Sequence, residues 1–120
     1  MARTYTSSTA ARHGACDIAA CPVAAALDVI GEKWTLLILR DLALHPARRF
    51  QDLLESLKGC APNTLSARLA SLERNGLVER RLYSHHPPRM EYVLSVQGRD
   101  VLPVLKALKR WGTTLQAAAP

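Results

Sequence analysis

The sequence predicts a mainly α-helical domain that carries one small β-hairpin. Apolar residues recur at helical spacing in several segments, two short segments alternate apolar and polar residues, and prolines separate those two segments. The 120 residues contain no internal repeat and suffice for one domain with a hydrophobic core. We expect that domain over residues 16–120, after a flexible arm over residues 1–15, which mixes small, polar and basic residues without periodicity.

Composition narrows the class of partner. The formal net charge of +6 favours a polyanion, either nucleic acid or an anionic membrane surface. Only 5% of residues are aromatic, which argues against stacking of single-stranded bases and favours duplex DNA. Because the chain has no apolar run of about 18 residues and no signal-peptide pattern, we expect a cytoplasmic protein with no membrane partner. Its three cysteines are then expected to be free thiols.

Two helices are predicted in the first third of the chain. Pro22 suits the first position of a helix whose apolar stripe includes Val23 and Leu27, and Gly31 is placed to end it. The next helix begins near Trp34 and is apolar on nearly every side. Because a small domain rarely buries such a helix alone, a second subunit is the expected cover.

A short helix, a turn and a longer helix are predicted over residues 50–75. Pro62 opens the longer helix and Gly76 ends it. Leu65, Leu69 and Leu72 share one face of that helix, and the opposite face carries mostly small side chains. Such a low profile suits a DNA major groove, so the pair predicts a helix-turn-helix. An ordinary surface helix rich in alanine and serine is the alternative reading of that face alone.

The first half of the longer helix holds the candidates for reading DNA. In a recognition helix this half penetrates deepest, and short polar side chains suit adenine edges while alanine suits thymine methyls. Arg68 lies on a flank, where it would contact a phosphate or a guanine, or else pair on the surface with Glu73 or Asp52. The candidates for reading bases are Asn63, Thr64, Ser66 and Ala67, and the DNA-binding residues predicted on this helix also include Arg68 and Ser71.

The β-hairpin is predicted to form a wing beside the helix-turn-helix. Strands are expected over residues 77–83 and 90–94, joined by a loop over residues 84–89, because Pro87 and Pro88 cannot extend a ladder. Basic side chains and two histidines in this region suit a phosphate backbone or a minor groove. The candidates for these contacts, with two arginines ahead of the helix-turn-helix, are Arg48, Arg49, Arg80, Arg81, His85, His86 and Arg89.

A last helix is predicted from about Ser95 to the C-terminal region, with a kink at Pro103. Its apolar stripe comes after the winged core is already filled. We therefore expect it to pack against the first helix and against the same elements of a second subunit. The predicted homodimer interface consists of Val23, Leu27, Trp34, Leu105, Leu108, Trp111 and Leu115.

Four strings occur in order along the chain: CPVAAALDVIGEKWTLLILRDL, RRFQDLLESLKG, LSARLASLERNGLVERRLY and PPRMEYVLSVQGRDVLPVLKALKRWG. Together they resemble the HxlR-type, or YodB-like, winged helix-turn-helix regulators, which are relatives of the MarR type. The resemblance covers residues 21–112 and implies a homodimer on a pseudo-palindromic operator, with residues 63–75 in the major groove and residues 84–90 as the wing. One departure is Ala61, which stands where the family commonly has a capping serine worth about 1 kcal/mol.

Two cysteines are candidate redox sensors. Cys21 lies just ahead of a helix N-terminus, where the helix dipole stabilises a thiolate. The resemblance adds weight, because several members of the family respond to electrophiles or oxidants through a cysteine at the equivalent CPV position. The alternative is that Cys21 is a small buried hydrophobe. Cys60 lies at the turn before the recognition helix, where its modification would disturb DNA docking, or where it is inert.

We interpret the chain as a homodimeric, sequence-specific regulator of transcription that binds double-stranded DNA, with repression favoured over activation. A thiol-reactive oxidant or a small-molecule effector is the expected signal. A winged-helix module that binds proteins without reading DNA is the alternative. No enzyme is expected, because the chain lacks a phosphate loop and an activated nucleophile. No cofactor or metal is expected, because the spacing of Cys16 and Cys21 is not a usual zinc pattern and His85 and His86 lie in the distant wing.

Overall fold

The computed structural model describes residues 18–118, so the predicted arm over residues 1–15 and Cys16 lie outside the described residues. Short 3₁₀ turns occupy Ile18–Ala20 and Gly98–Val101. The longer elements, in chain order, are α1 Pro22–Ile30, α2 Lys33–Leu44, α3 Phe50–Ser56, α4 Pro62–Arg74, β1 Val78–His85, β2 Pro88–Leu94 and α5 Leu102–Ala118. The prediction of a mainly helical fold with a two-stranded wing is confirmed.

The hydrophobic core lies between α2, α3 and α4. One face of α4 is buried, as its leucine spacing predicts, and the middle of α2 packs against it. Val78 and Leu94, the paired residues at the base of the hairpin, close the core from the side of the wing. The largest fully buried side chains are Ile38, Leu39, Leu53, Leu65, Leu69 and Leu72.

The last helix begins later than predicted, at Leu102 rather than near Ser95. The Ser95 side chain is used in a turn instead: its hydroxyl donates to the Gly76 carbonyl oxygen (2.7 Å) and accepts from the Gly98 N–H (2.9 Å). A Cβ at Gly98 would overlap the carbonyl oxygen of Leu77, so only glycine fits this crossing. The predicted kink at Pro103 is also wrong, because this residue is second in α5, where a missing N–H leaves no bond unmade.

The predicted loop of the wing is also wrong, because the strands continue almost to the tip. Only His86 and Pro87 lie between β1 and β2. Pro88 is the first residue of β2 and pairs with His85 at the end of the ladder, where a strand tolerates proline. The Ser84 hydroxyl donates to the Pro87 carbonyl oxygen (3.1 Å) and closes the turn.

The described helices differ in how much apolar surface they leave uncovered. α5 contributes no fully buried residue, and α1 contributes only Ile30. Both helices therefore carry apolar side chains that the chain itself does not cover. Between residues 18 and 118, no helix combines the length and the apolar character needed to cross a membrane.

Candidate nucleic-acid interface

α3, a short turn and α4 form the helix-turn-helix, and α4 presents the predicted face to solvent. Because its leucines are buried in the core, the opposite face is left uncovered. Asn63, Ser66 and Ala67 are exposed, whereas Thr64, Arg68 and Ser71 are half-buried on the flanks of that face. The six candidates therefore lie together along one helix. Ala61 occupies the N-cap position without a side-chain hydrogen bond, which leaves the first-turn N–H groups uncapped by a side chain.

Arg68 does not form the surface ion pair that was its alternative role. Its two expected partners are occupied by other arginines: Glu73 lies 3.4 Å from Arg80, and Asp52 lies 2.9 Å from Arg49. The Nε atom of Arg68 is buried and makes no hydrogen bond within the described part of the chain. Because this nitrogen is buried, a contact of Arg68 with DNA would use the rest of its guanidinium, which forms no ion pair with the described residues.

The wing carries two kinds of basic side chain. Arg80 pairs with Glu73 of α4, and Arg81 pairs with Glu91 across the hairpin at 2.9 Å, although both arginines remain more than half exposed. His85, His86 and Arg89 are exposed near the tip. The sequence analysis did not predict Glu73 and Glu91 as partners of these arginines. The antiparallel register, which places Arg81 opposite Glu91, is the signal that would have indicated the second pair.

Near its tip the wing carries the three charged or titratable candidates beside neutral side chains such as those of Pro87, Pro88 and Met90. Among residues 18–118, no acidic residue is within ion-pair distance of His85, His86 or Arg89. Exposed arginines that keep a carboxylate partner contribute less to binding a polyanion than unpaired ones, because binding must break or share the existing pair. The tip is therefore the part of the wing best suited to a phosphate backbone.

Arg49 and Asp52 form a capping box at the start of α3. The Arg49 side chain donates from Nε to Asp52 Oδ2 (3.0 Å) and from Nη2 to Oδ1 (2.9 Å), and its amide also donates to Oδ2 (2.9 Å). These bonds stabilise the carboxylate and lower the pKa of Asp52 to about 2. Arg49 therefore remains 54% exposed but is engaged in the helix cap. Arg49 would contact a phosphate only if its guanidinium were shared between that phosphate and Asp52.

Protonation of Asp52 is expected to weaken the fold only in strong acid. The pKa of an aspartate in an unfolded chain is about 3.9, whereas that of folded Asp52 is about 2. A lowered folded pKa means that the carboxylate stabilises the fold fully above about pH 4 and progressively less as the pH falls to about 2. The difference in thermal midpoint between wild type and Asp52→Asn, followed by circular dichroism, should therefore shrink over this range. A difference that is constant with pH would contradict the assignment.

Arg48 is turned inward and differs from the other candidates for backbone contact. Its side chain is 22% exposed, with Nε 3.5 Å from the buried carboxylate of Asp41. Its Nη2 donates to the carbonyl oxygen of Asp52 (3.3 Å). The guanidinium is thus engaged inside the chain, and the prediction that Arg48 contacts DNA receives no support from its position. We leave it out of the candidate interface.

The two cysteines within the described residues occupy different environments. Cys21 is the N-cap residue of α1, as predicted, and is half-buried. Cys60 is only 7% exposed, and burial, together with the nearby Glu32 carboxylate, raises the pKa of its thiol. A raised pKa opposes the thiolate that a redox sensor needs, so the geometry favours Cys21 over Cys60 for this role. No group of three potential metal ligands occurs within residues 18–118.

Five of the seven predicted interface residues are exposed in the single chain. Val23 and Leu27 on α1 are 65% and 57% exposed, and Trp111 on α5 is 62% exposed. Leu108 and Leu115 accompany Trp111 along the same helix face. The other two, Trp34 and Leu105, are half-buried against the core of their own chain. The exposed set forms the apolar surface that a second subunit would need.

Comparison with known proteins agrees with this geometry. The HTH-type transcriptional regulator sll1512 of Synechocystis is 41% identical over 93 residues, which cover 78% of this chain and 68% of the relative. Relatives from Mycobacterium bovis and Mycobacterium tuberculosis are 46% identical over 90 residues, and this match spans only 56% of their length.

Solved structures and a family model give the same assignment. The redox regulator HypR in its oxidised form is similar at 33% identity and a TM-score of 0.73, over 78% of this chain and 96% of HypR. The transcriptional regulator YodB from Bacillus subtilis, in its reduced form, is similar at 28% identity and a TM-score of 0.67, over 76% of this chain and 89% of YodB. A model of the HxlR-like helix-turn-helix matches residues 29–119. The chain therefore belongs to the HxlR-like helix-turn-helix family of transcriptional regulators.

Proposed function

We propose that this chain is a sequence-specific regulator that binds double-stranded DNA as a homodimer. The observation that carries the proposal is the face of α4, which presents mostly small side chains on the side opposite its buried leucines, with Arg68 half-buried on a flank. A helix face of this profile fits a major groove, and the basic tip of the adjoining wing suits the neighbouring backbone. Asn63, Thr64, Ser66 and Ala67 would read bases, and Arg68 would contact a phosphate or a guanine. The wing side of the duplex would be contacted by Arg80, Arg81, His85, His86 and Arg89.

The dimer follows from the uncovered apolar surface of α1 and α5. Two copies joined through this surface would be related by a two-fold axis and would present two α4 helices. Such pairs bind half-sites about 34–36 Å apart, one turn of duplex or a multiple of it, so the operator is proposed to be pseudo-palindromic. Binding over a promoter would exclude the polymerase, and we favour repression for this reason.

Oxidation or alkylation of a cysteine thiol is the favoured signal to which the regulator responds. The similar protein HypR is described as a redox regulator, and Cys21 of this chain is a half-buried residue at the N-cap of α1, one of the two proposed dimer helices. Oxidation or alkylation there would change the packing of α1 against its surroundings. A small-molecule effector is the second candidate, because an open groove lies between α1 and the start of α5, lined mainly by Ala26, Val29, Ile30, Leu77, Val101 and Val104.

Duplex binding is tested by a mobility shift with the promoter of the chain's own or an adjacent gene, in the presence of excess competitor DNA. A retarded complex that survives competitor, and that weakens steeply between about 50 and 200 mM salt, is expected. If correctly folded dimer fails to bind at low salt, the chain is instead a winged-helix module that binds other proteins.

The same assay separates a thiol signal from a ligand signal. Diamide treatment is expected to release wild-type protein from the duplex and to leave the Cys21→Ser variant bound. Release of both proteins would assign the response to another cysteine. Release of neither would leave Cys21 a structural residue and favour the small ligand.

A further inference from the structure

Arg48 joins three parts of the fold that sequence reasoning treats separately: α2, α3 and the wing. We propose that the buried ion pair between Asp41 and Arg48 holds the wing in place against the helix-turn-helix and so sets affinity for DNA without touching it. Asp41 and Arg48 are, in this proposal, positioning residues. The inference rests on the proposed function, since its consequence is read in duplex binding, but its structural part can be measured without DNA.

The backbone of Arg48 is bound to the wing. Its N–H donates to the Tyr92 carbonyl oxygen (3.0 Å), and the Tyr92 N–H donates to the Arg48 carbonyl oxygen (2.7 Å). This bridge adds a single residue pair to the outer side of β2. Tyr92 in turn pairs with Arg80 of β1, whose side chain reaches Glu73 of α4. A continuous set of contacts therefore runs from Arg48 through both strands to the recognition helix.

The side chain of Arg48 is bound to the helices. Its Nε lies 3.5 Å from Asp41 Oδ2 on α2, and its Nη2 donates to the Asp52 carbonyl oxygen on α3 (3.3 Å). A residue whose backbone holds one element and whose side chain holds two others fixes their relative placement. Arg49, the next residue, also links α3 to the wing through Asp52 and Tyr83, but among the described residues of this segment only Arg48 contacts α2, α3 and the wing together.

Asp41 provides the fixed end of this connection. The residue is 2% exposed, and its Oδ1 accepts from the Ser56 hydroxyl (3.1 Å). His45, the C-cap residue of α2, is the other titratable group that faces the carboxylate among the described residues, with Nε2 3.7 Å from Oδ1 and a side chain that is 43% exposed. A carboxylate buried this deeply requires a cationic partner, because its desolvation is otherwise uncompensated. The need of Asp41 for a cation thus keeps Arg48 inside the chain.

Burial separates this role from direct contact with a phosphate. The Arg48 side chain is 22% exposed, whereas those of Arg80 and Arg81 are 54% and 59% exposed. Its Nε atom and Asp41 Oδ2 are both buried and make no hydrogen bond with the described residues, so their contact at 3.5 Å is ionic. The guanidinium of Arg48 is directed at an internal carboxylate and bonded to the Asp52 carbonyl oxygen, whereas that of Arg68 forms no ion pair with the described residues.

The test compares Asp41→Asn, Arg48→Met and the double variant for duplex binding. Asp41→Asn removes a negative charge, so a purely electrostatic effect, or release of Arg48 toward a phosphate, would tighten binding. If the pair positions the wing, Asp41→Asn instead weakens binding by about tenfold and lowers the salt dependence, because the wing arginines disengage. Arg48→Met weakens binding to a similar degree, and the double variant is no weaker than the single ones. Tighter binding by Asp41→Asn, or additive effects, would overturn the proposal.

Two further measurements guard against simple loss of fold. Ile38→Val, a buried change in α2 that leaves the ion pair intact, should lower stability without weakening the binding of folded protein.

Hydrogen exchange of the Tyr92 amide in DNA-free protein should become about tenfold faster in Arg48→Met, while exchange in α4 stays slow. Unchanged exchange at Tyr92 overturns the connection to the wing, whether or not the chain binds duplex. If wild type does not bind duplex but the Tyr92 amide exchanges faster in Arg48→Met, only the proposed function is refuted. If Asp41→Asn does not fold, Arg48→Met and its exchange rate decide the question.

Discussion

Replacing Trp111 with glutamate is expected to convert the dimer to a monomer and to abolish tight duplex binding. Trp111 is 62% exposed in the single chain and shares one face of α5 with Val104, Leu108 and Leu115, which are 39–54% exposed. Contiguous apolar surface of this kind on a small domain marks an interface. A large aromatic side chain near the middle of such a face is the type of residue that carries most of the association energy.

The expected effect on association is large. Removing an interface tryptophan typically costs about 2–4 kcal/mol, or about 30- to 1000-fold in the dimer dissociation constant, and an unpaired carboxylate in apolar surroundings adds to this. Sedimentation velocity at micromolar concentration measures the change directly. Because a monomer contacts one half-site only, the mobility shift should be lost at protein concentrations that retard the operator fully with wild type.

Thr113→Glu is the matched control for Trp111→Glu. It introduces the same charge on the opposite face of the same helix, where the Thr113 hydroxyl only donates to the Lys109 carbonyl oxygen (2.8 Å). This variant should remain a dimer and bind duplex. A Trp111→Glu protein that sediments as a dimer with wild-type affinity would show that α5 does not form the interface.

Local periodicity explains why the recognition helix could be predicted from sequence. Pro62, the leucines at helical spacing and Gly76 act within one helix, and each signal is satisfied by neighbours along the chain. The end of β2 was harder, because Ser95 resembles a helix start. Its hydroxyl is instead bonded to Gly76 and Gly98, and the first of these contacts joins residues 19 positions apart. Helical spacing carries no information about a bond across such a distance.

For the charged residues too, the sequence indicates which side chains are present but not which distant side chains they contact. Sequence supplied the positive residues of the wing but not their partners, so Arg80 and Arg81 were expected without Glu73 and Glu91. Arg48 was expected to face a phosphate because it adjoins Arg49 in a basic pair. Its actual partner is Asp41, a charged residue in an apolar helix. Asp41 lies three positions after the buried Ile38, on the inward face of α2, which is the one local sign that its carboxylate is buried.

Arg68→Ala is expected to weaken duplex binding by about tenfold, because it removes a guanidinium on the flank of the recognition face that forms no ion pair with the described residues. The contact can be of two kinds, and salt dependence separates them. Loss of a phosphate contact lowers the slope of log affinity against log salt by about one and affects all duplexes alike. Loss of a guanine contact costs about 1–3 kcal/mol on the operator only and relaxes the preference for that base pair.

The matched control for Arg68→Ala is Arg40→Ala, which makes the same change of charge at an exposed position on α2, outside the proposed interface. If the weakening reflected only the lower net charge, both variants would lose affinity equally. Arg68→Lys adds a further distinction, because lysine keeps a phosphate contact but loses the fork that binds a guanine edge. Binding by Arg68→Ala with wild-type affinity and salt slope would remove Arg68 from the interface and leave the short polar side chains of α4 to read the operator without it.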